Sequence, residues 1–355
     1  MTLRKVARTG MSILKRAIGT QQAGLVFVIV LLGVLLALTA GSHLDPRTGQ
    51  SVHNFYNLHT LLQTATDASF FAIMAVGATV VIISGGIDLS VGSIYALAGV
   101  TTAMVLRSVA PDSAVTVVLL ATTVSLGIGL ICGVLNGVMV TGLGVHPFII
   151  TLGTMWVVRG IAFVSSHAES ILVPSSLTAV AKASFGMASS VYPVPLLVML
   201  AVMAIGSVYL TRTVMGRHVF AVGGNPEASR FSGLRLNRIT IGVFAISGLT
   251  AGLAALLGAA FYGSASCADA TGYELYVIAA AVVGGASLSG GRGSAVSATL
   301  GALLIVLIRQ SIRTMRFDQN YEWIIIGCAI ILAVVLDQAS SRAALRRLSA
   351  DAVRR

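Results

Sequence analysis

Charges are so sparse in the apolar parts of this chain that the few found there are the first candidates for chemistry. Asp67 and Arg159 stand inside long apolar runs, and Asn136 is an uncharged companion on a third. An ionisable group in hydrocarbon is costly and usually faces the protein interior or water. Asp67 and Arg159 could pair, or Asp67 could lie near headgroup level at the start of its run. Asp269 and Glu274 precede a later, shorter run, where Tyr273 and Tyr276 are placed to mark a membrane interface. Bond-making chemistry has no such support. No nucleophile elbow or phosphate-loop spacing occurs. Cys132, Cys267 and Cys328 form no CxxC or Cys/His ligand pattern, and His43, His53, His59, His146, His167 and His218 are scattered. No catalytic residue, metal or cofactor is expected. Ion-driven carriers commonly place carboxylates mid-span, and their scarcity here counts against that mechanism.

The elements that must hold these residues follow from composition. Of 355 residues, 56% are hydrophobic and only 10% charged, where a soluble domain carries about 25% charged residues. The expected fold is therefore an all-α polytopic membrane protein. The net charge of +11 does not point to nucleic acid, because five basic residues precede Gln21 and five follow Ser341, flanking the spans. A span needs about 20 apolar residues, and on that ruler the chain has about ten, with both termini cytoplasmic. The expected runs are 23–40, 65–84, from after Asp88 to 106, 114–141, 147–164, 194–210, 239–262, 275–285, 294–310 and 323–337. The first is too long for a signal peptide and is read as retained. The eighth is short and could be re-entrant, and 165–192 reads as a loop with a short helix. A single membrane domain, 23–338, lies between a basic tail at 1–22 and another at 339–355. This topology puts the polar loop 212–238 inside and leaves Arg309, Arg313 and Arg316 together outside.

That loop specifies a short helix at both ends. Asn225 is a good N-cap, Pro226 suits the first helical position, and Glu227 sits in the positive first turn. Arg230 lies near the negative end, and Gly233 can stop the helix in a left-handed conformation. About seven residues are too few to be stable alone in water. Ala228 and Phe231, three apart, offer a small apolar face on which it could lie. Such a helix is either a docking element for a soluble partner or a loop folded back on its own membrane domain.

Two glycine-rich breaks recur. GGIDLSVGS at 85–93 and GGASLSGG at 284–291 share the spacing G-G-x-x-L-S-x-G. Gly85 and Gly86 allow a sharp turn, and Asp88 or Ser90 can cap the next helix. Paired Gly-interrupted segments in two halves of a transporter point to functional breaks, and here both would face the same side. Gly129, Gly133 and Gly137, with Ser125 and Thr141, make a stripe of small residues at four-residue spacing, a helix-packing seam repeated by Gly248 and Gly252.

Four strings, AIMAVGATVVIISGGIDLSVGS (72–93), HPFIITLGTMWVVRG (146–160), MGRHVFAVGGNPEASRFSG (215–233) and TGYELYVIAAAVVGGASLSGGRGS (271–294), resemble the ribose-type permeases of bacterial ATP-binding-cassette importers. The resemblance covers about 57–337. It implies a permease in the bacterial inner membrane, paired with a second copy or a paralogous permease. A cytoplasmic tandem-cassette ATPase would drive the pair by alternating access, and a periplasmic binding protein would deliver a monosaccharide or related polyol. Under it Gly224, Asn225, Pro226, Glu227, Ala228, Ser229, Arg230 and Gly233 form the ATPase coupling helix. Asp88, Asn136, Phe148, Arg159, Glu274 and Tyr276 are the candidate translocation path or gate. One departure is Tyr276, where such permeases usually carry an acidic residue after Glu-Leu. A stand-alone facilitator or ion-coupled carrier for a small polar solute is the competing reading.

Overall fold

A computed structural model describes residues 20–44, 49–184, 192–328, 331 and 335. Its helices are α1 (Thr20–Thr39), α2 (Leu58–Ile83), α3 (Val91–Val109), α4 (Ala114–Leu143), α5 (Pro147–Ser166) and α6 (Ser175–Ala181). They continue as α7 (Val194–Arg212), α8 (Val214–Gly224), α9 (Pro226–Phe231), α10 (Leu236–Tyr262), α11 (Tyr273–Val283) and α12 (Ala295–Thr314). Eight of them, all but α6, α8, α9 and α11, are long and apolar enough to cross a membrane. The short run expected at 275–285 is α11, whose 11 residues extend about 16 Å, half a bilayer core. The loop at 165–192 contains α6 as expected. Of the run at 323–337, residues 323–328 are helical; most of the remainder, the basic tail 339–355 and the first 19 residues lie outside the described residues.

At the centre stands α2, every residue of which from Ala68 to Ile83 is buried. A helix apolar on all sides has no solvent face to present and is enclosed by others. It begins seven residues before the apolar run because Asn57 caps it: the Asn57 Oδ1 accepts from the Thr60 amide at 2.8 Å.

The glycine stripe is the seam between α4 and α10. Methyl groups at Gly129, Gly133 and Gly137 would overlap the backbone of Gly248, Phe244 and Ile241, and the Ser125 hydroxyl donates to the Gly252 carbonyl at 2.7 Å. The two helices are thus in backbone contact and antiparallel. Two small antiparallel ladders tie the loops: β1 (Ser42–Leu44) with β2 (Ser51–His53), and β3 (Ile171–Leu172) with β4 (Ser264–Ala265).

The two breaks have one geometry. After α2, the amides of Ser84, Gly85 and Gly86 donate to the carbonyls of Val80, Ile82 and Val81. After α11, those of Gly284, Gly285 and Ala286 donate to Ala280, Val282 and Ala281. The left-handed residue is Gly85 in one (φ +88) and Gly285 in the other (φ +94). Structural equivalence therefore runs Ser84-Gly85-Gly86 to Gly284-Gly285-Ala286, one residue out of register with the matching strings. Both breaks sit at the same end of the bundle, as their common polarity requires.

Arg309 and Arg313 lie in the last turns of α12, about 20 Å along its axis from its start at Ala295, so the arginine group is at the end away from α9. Arg309 is ion-paired with Glu322 at 2.7 Å and Arg313 with Asp67 at 3.7 Å. Of the two placements open to Asp67, pairing with Arg159 does not occur. Asp67 takes its hydrogen bond from Gln63 Nε2 at 2.9 Å and faces Arg313 instead.

Candidate functional site

Three groups of residues carry the features singled out in the sequence. The first is the corner made by α8 and α9. Asn225 ends one helix and caps the other: its amide donates to the Ala221 carbonyl at 3.0 Å, and its Oδ1 accepts from the Ala228 amide at 2.9 Å. Pro226 opens α9, Glu227 lies in its first turn and Arg230 in its last. Gly233 has φ +82, and the Leu234 amide reaches back to the Ser229 carbonyl at 3.1 Å, closing the helix. The helix is six residues long.

The small apolar face of this helix is turned to solvent. Ala228 is exposed, Phe231 is 91% exposed, and Ser229 is the residue turned inward. The apolar pair therefore does not seat the helix on its own protein. Along the chain, exposed Arg212, Arg217, Arg230, Arg235 and Arg238 fall within α9 and on both sides of it, with Glu227 exposed in its first turn. The preceding helix, α8, was not anticipated. Thr213 caps it by accepting from the Gly216 amide at 3.0 Å, and Gly216, Val219, Val222 and Gly223 are its buried face. That three-to-four spacing was present in the sequence as a signal.

The second group surrounds Asp88, which is 2% exposed. Ser90 donates both its amide (2.9 Å) and its hydroxyl (2.6 Å) to Oδ1, and the Ser247 hydroxyl donates to Oδ2 at 2.8 Å. Asn136 Nδ2 donates to Ser90 Oγ at 2.7 Å. The carboxylate thus ties the segment after α2 to α10 directly and to α4 through Ser90. Thr151 on α5 adds a bond to the Ile87 carbonyl at 3.1 Å. Ser247 and Thr151 escaped sequence reading because hydroxyls in apolar helices are common and only their convergence distinguishes them; Ser90, read as a possible cap, sits at the N-cap position but gives its hydroxyl to Asp88.

Across the first turn of α3 lies the third group. Arg159 on α5 donates Nη1 to the carbonyls of Cys267 (2.7 Å) and Asp269 (2.6 Å), and Nη2 to that of Ala270 (3.3 Å). It clamps the loop leading into α11. Asp269 accepts from the Ser266 amide at 2.8 Å. Burial raises its carboxyl above the usual range, against the lowering effects of that hydrogen bond and of Arg159. Glu274 stands beside this clamp: a methyl group at Gly92 would meet its Oε2 at 2.5 Å and the Ala270 carbonyl at 2.6 Å. Glycine at that position lets α3 approach the carboxylate.

The six candidate path residues therefore fall into separate places. Asp88 with Asn136 and Arg159 with Glu274 flank the start of α3. Phe148 is on the first turn of α5, at one end of an exposed apolar face that includes Leu152, Trp156, Val157, Ile161 and Val164. Tyr276, 4% exposed, is packed against Phe71, Tyr273 and Trp323 under the Arg309 guanidinium.

A bundle of membrane-length helices, with a pair of glycine breaks of one geometry and a capped helix exposed at one end, has the architecture of a transport protein. Comparison with known proteins agrees. The model of the family described as branched-chain amino acid transport system / permease component matches residues 60–334. The chain is 34% identical to the ribose import permease protein RbsC of Escherichia coli (strain K12) over 318 residues, 89% of this chain and 93% of the relative. It is 36% identical to the D-allose transport system permease protein AlsC of the same strain over 290 residues, 81% and 86% of the two chains. With the fructose import permease protein FrcC of Rhizobium meliloti, identity is 32% over 291 residues, 80% and 79%. No solved structure matches. The chain belongs to this family of transport-system permease components, and it is a multi-pass protein of the bacterial inner membrane.

Proposed function

We propose that the chain is the membrane-spanning subunit of an ATP-binding-cassette importer, admitting a monosaccharide or related polyol to the cytoplasm. A separate cytoplasmic ATPase drives it through α9, and a periplasmic binding protein delivers the cargo. The relatives named for ribose, D-allose and fructose support the sugar class. The observation that carries the reading is Phe231, a large apolar side chain 91% exposed on a helix too short to stand alone. On a helix capped at both ends, in a segment whose exposed charges are mostly arginines, it suits an apolar pocket with an acidic rim on a partner protein. The basic character of that end also suits the cytoplasmic side.

Alternating access then requires motion of the α9 corner to reach the helices that end at the two breaks. The two breaks, and the clamp of Arg159 on the loop before α11, are the elements through which the path would open and close. The exposed apolar face of α5 suits a second permease copy across the path. Isolation of the tagged permease from its native membrane tests the reading. A cassette ATPase is expected to accompany the native chain and to be lost from a variant combining Glu227→Arg with Arg230→Glu. Retention of full ATPase stimulation and uptake by that double variant would refute it.

A further inference from the structure

The end of α8 meets the two helix breaks with no side chain between them. A methyl group at Gly223 would overlap the Ile83 carbonyl oxygen, where α2 ends, and would meet the Gly291 amide nitrogen at 2.8 Å. One at Gly290 would meet the Gly223 carbonyl oxygen at 2.5 Å, and one at Gly291 the Gly224 Cα at 3.1 Å. The Gly291 amide itself donates to the Ile83 carbonyl at 2.8 Å. Gly290 and Gly291 have φ of +82 and +70, values that favour glycine independently of the crowding. Three backbone segments thus converge: the end of α2, the end of α8, and the loop joining α11 to α12.

The connections on either side of this convergence have little slack. Only Asn225 separates α8 from α9, and it caps both. Beyond Ile83 the chain reaches Asp88 within five residues, and Asp88 is bonded to Ser90 and Ser247. Beyond Gly291 it enters α12 at Ala295. Close-packed contacts transmit displacement because interiors resist compression.

We propose that Gly223 is a positioning residue of the transport cycle: its missing side chain seats the α8–α9 corner directly on both helix breaks, so that a displacement of α9 moves the two breaks together. The proposal rests on the reading of α9 as the ATPase's point of attachment. It assigns the paired breaks a common driver, where otherwise each would need its own.

The test uses the permease–ATPase complex isolated through a tag on the permease and placed in lipid vesicles. Gly223→Ala is compared with Gly242→Ala on α10, whose added methyl group meets nothing within 4 Å. Gly223→Ala is expected to keep the ATPase bound and hydrolysing ATP while cargo moved per ATP falls roughly tenfold, in the range of ordinary coupling between sites. Gly242→Ala is expected to match the native chain. Wild-type cargo per ATP in Gly223→Ala would overturn the proposal.

A second measurement does not depend on that variant folding. Spin labels at Glu227→Cys and Arg292→Cys, both exposed, are introduced with Cys328→Ser in an otherwise native chain. Their separation is expected to stay constant between nucleotide-free and vanadate-trapped complexes, while the separation of Glu227→Cys from Arg316→Cys at the far end changes. A nucleotide-dependent change between positions 227 and 292 would overturn the proposal. No nucleotide effect on either distance, with no ATPase in the preparation, would instead sink the reading on which it rests.

Discussion

The Asp88 carboxylate accepts the Ser247 hydroxyl at 2.8 Å, joining the interrupted segment after α2 to the middle of α10 across 159 positions of sequence. An unpaired acid in this place would be costly, yet its oxygens also take two bonds from Ser90. Asp88 therefore works as a fastener for a stretch of backbone that has left the helix.

Asp88→Ala removes an acceptor used by three donors, each of which then costs about 1–3 kcal/mol if left buried and unbonded. Thermal unfolding in detergent should drop clearly for Asp88→Ala. Asp88→Asn retains an oxygen for Ser90 and places an amide against the Ser247 hydroxyl, so it should drop much less. Equal losses for both variants would remove the hydrogen bonds from the explanation.

Gly133→Ala drives a methyl group into the Phe244 carbonyl on α10. Overpacking of a close seam costs about 1–3 kcal/mol, and the variant should unfold at lower temperature. Gly127→Ala, on the same helix with open space around it, should be neutral or slightly stabilising, as expected for Gly→Ala within a helix.

Phe231→Ala touches no packed neighbour and should leave thermal stability within about 0.5 kcal/mol. Its effect belongs to assembly. Loss of a buried aromatic anchor at an interface costs about 2 kcal/mol or more, roughly thirtyfold in affinity. Titration of the isolated ATPase against permease in nanodiscs reads this directly, and unchanged affinity would show that Phe231 stays outside the interface.

Arg309 and Glu322 are both largely shielded, at 20% and 13% side-chain exposure. Removing one partner strands the other, which costs about 3–5 kcal/mol for a fully buried pair and less here. Arg309→Gln and Glu322→Gln should each destabilise, and the double variant should lose less than their sum. Additive losses in that cycle would mean the two charges do not interact.

Much of this architecture was legible in the sequence because bilayer thickness imposes a length on apolar runs. The caps of α9 were equally legible, since Asn225, Pro226 and Gly233 act on adjacent backbone. What was not legible depends on contacts distant in the chain. The inward face of a six-residue helix cannot be read from periodicity, so the sequence left open whether Phe231 turned towards its own protein or away from it. Asp67 found Arg313, 246 positions away, because helix packing and not local pattern chooses ion-pair partners. The breaks were visible as glycine strings, but which glycine takes the left-handed conformation is set by where the helix before it ends. That shifted the structural register by one residue.

The central claim is that a nucleotide-driven partner moves this bundle through α9. Proteoliposomes holding the permease with or without its ATPase, supplied with the binding protein and labelled ribose, D-allose or fructose, measure it most directly. Accumulation of one of these sugars against its gradient should require both the ATPase and ATP, and should fall with Phe231→Ala. Uphill accumulation by the permease alone, with no nucleotide present, would contradict the account.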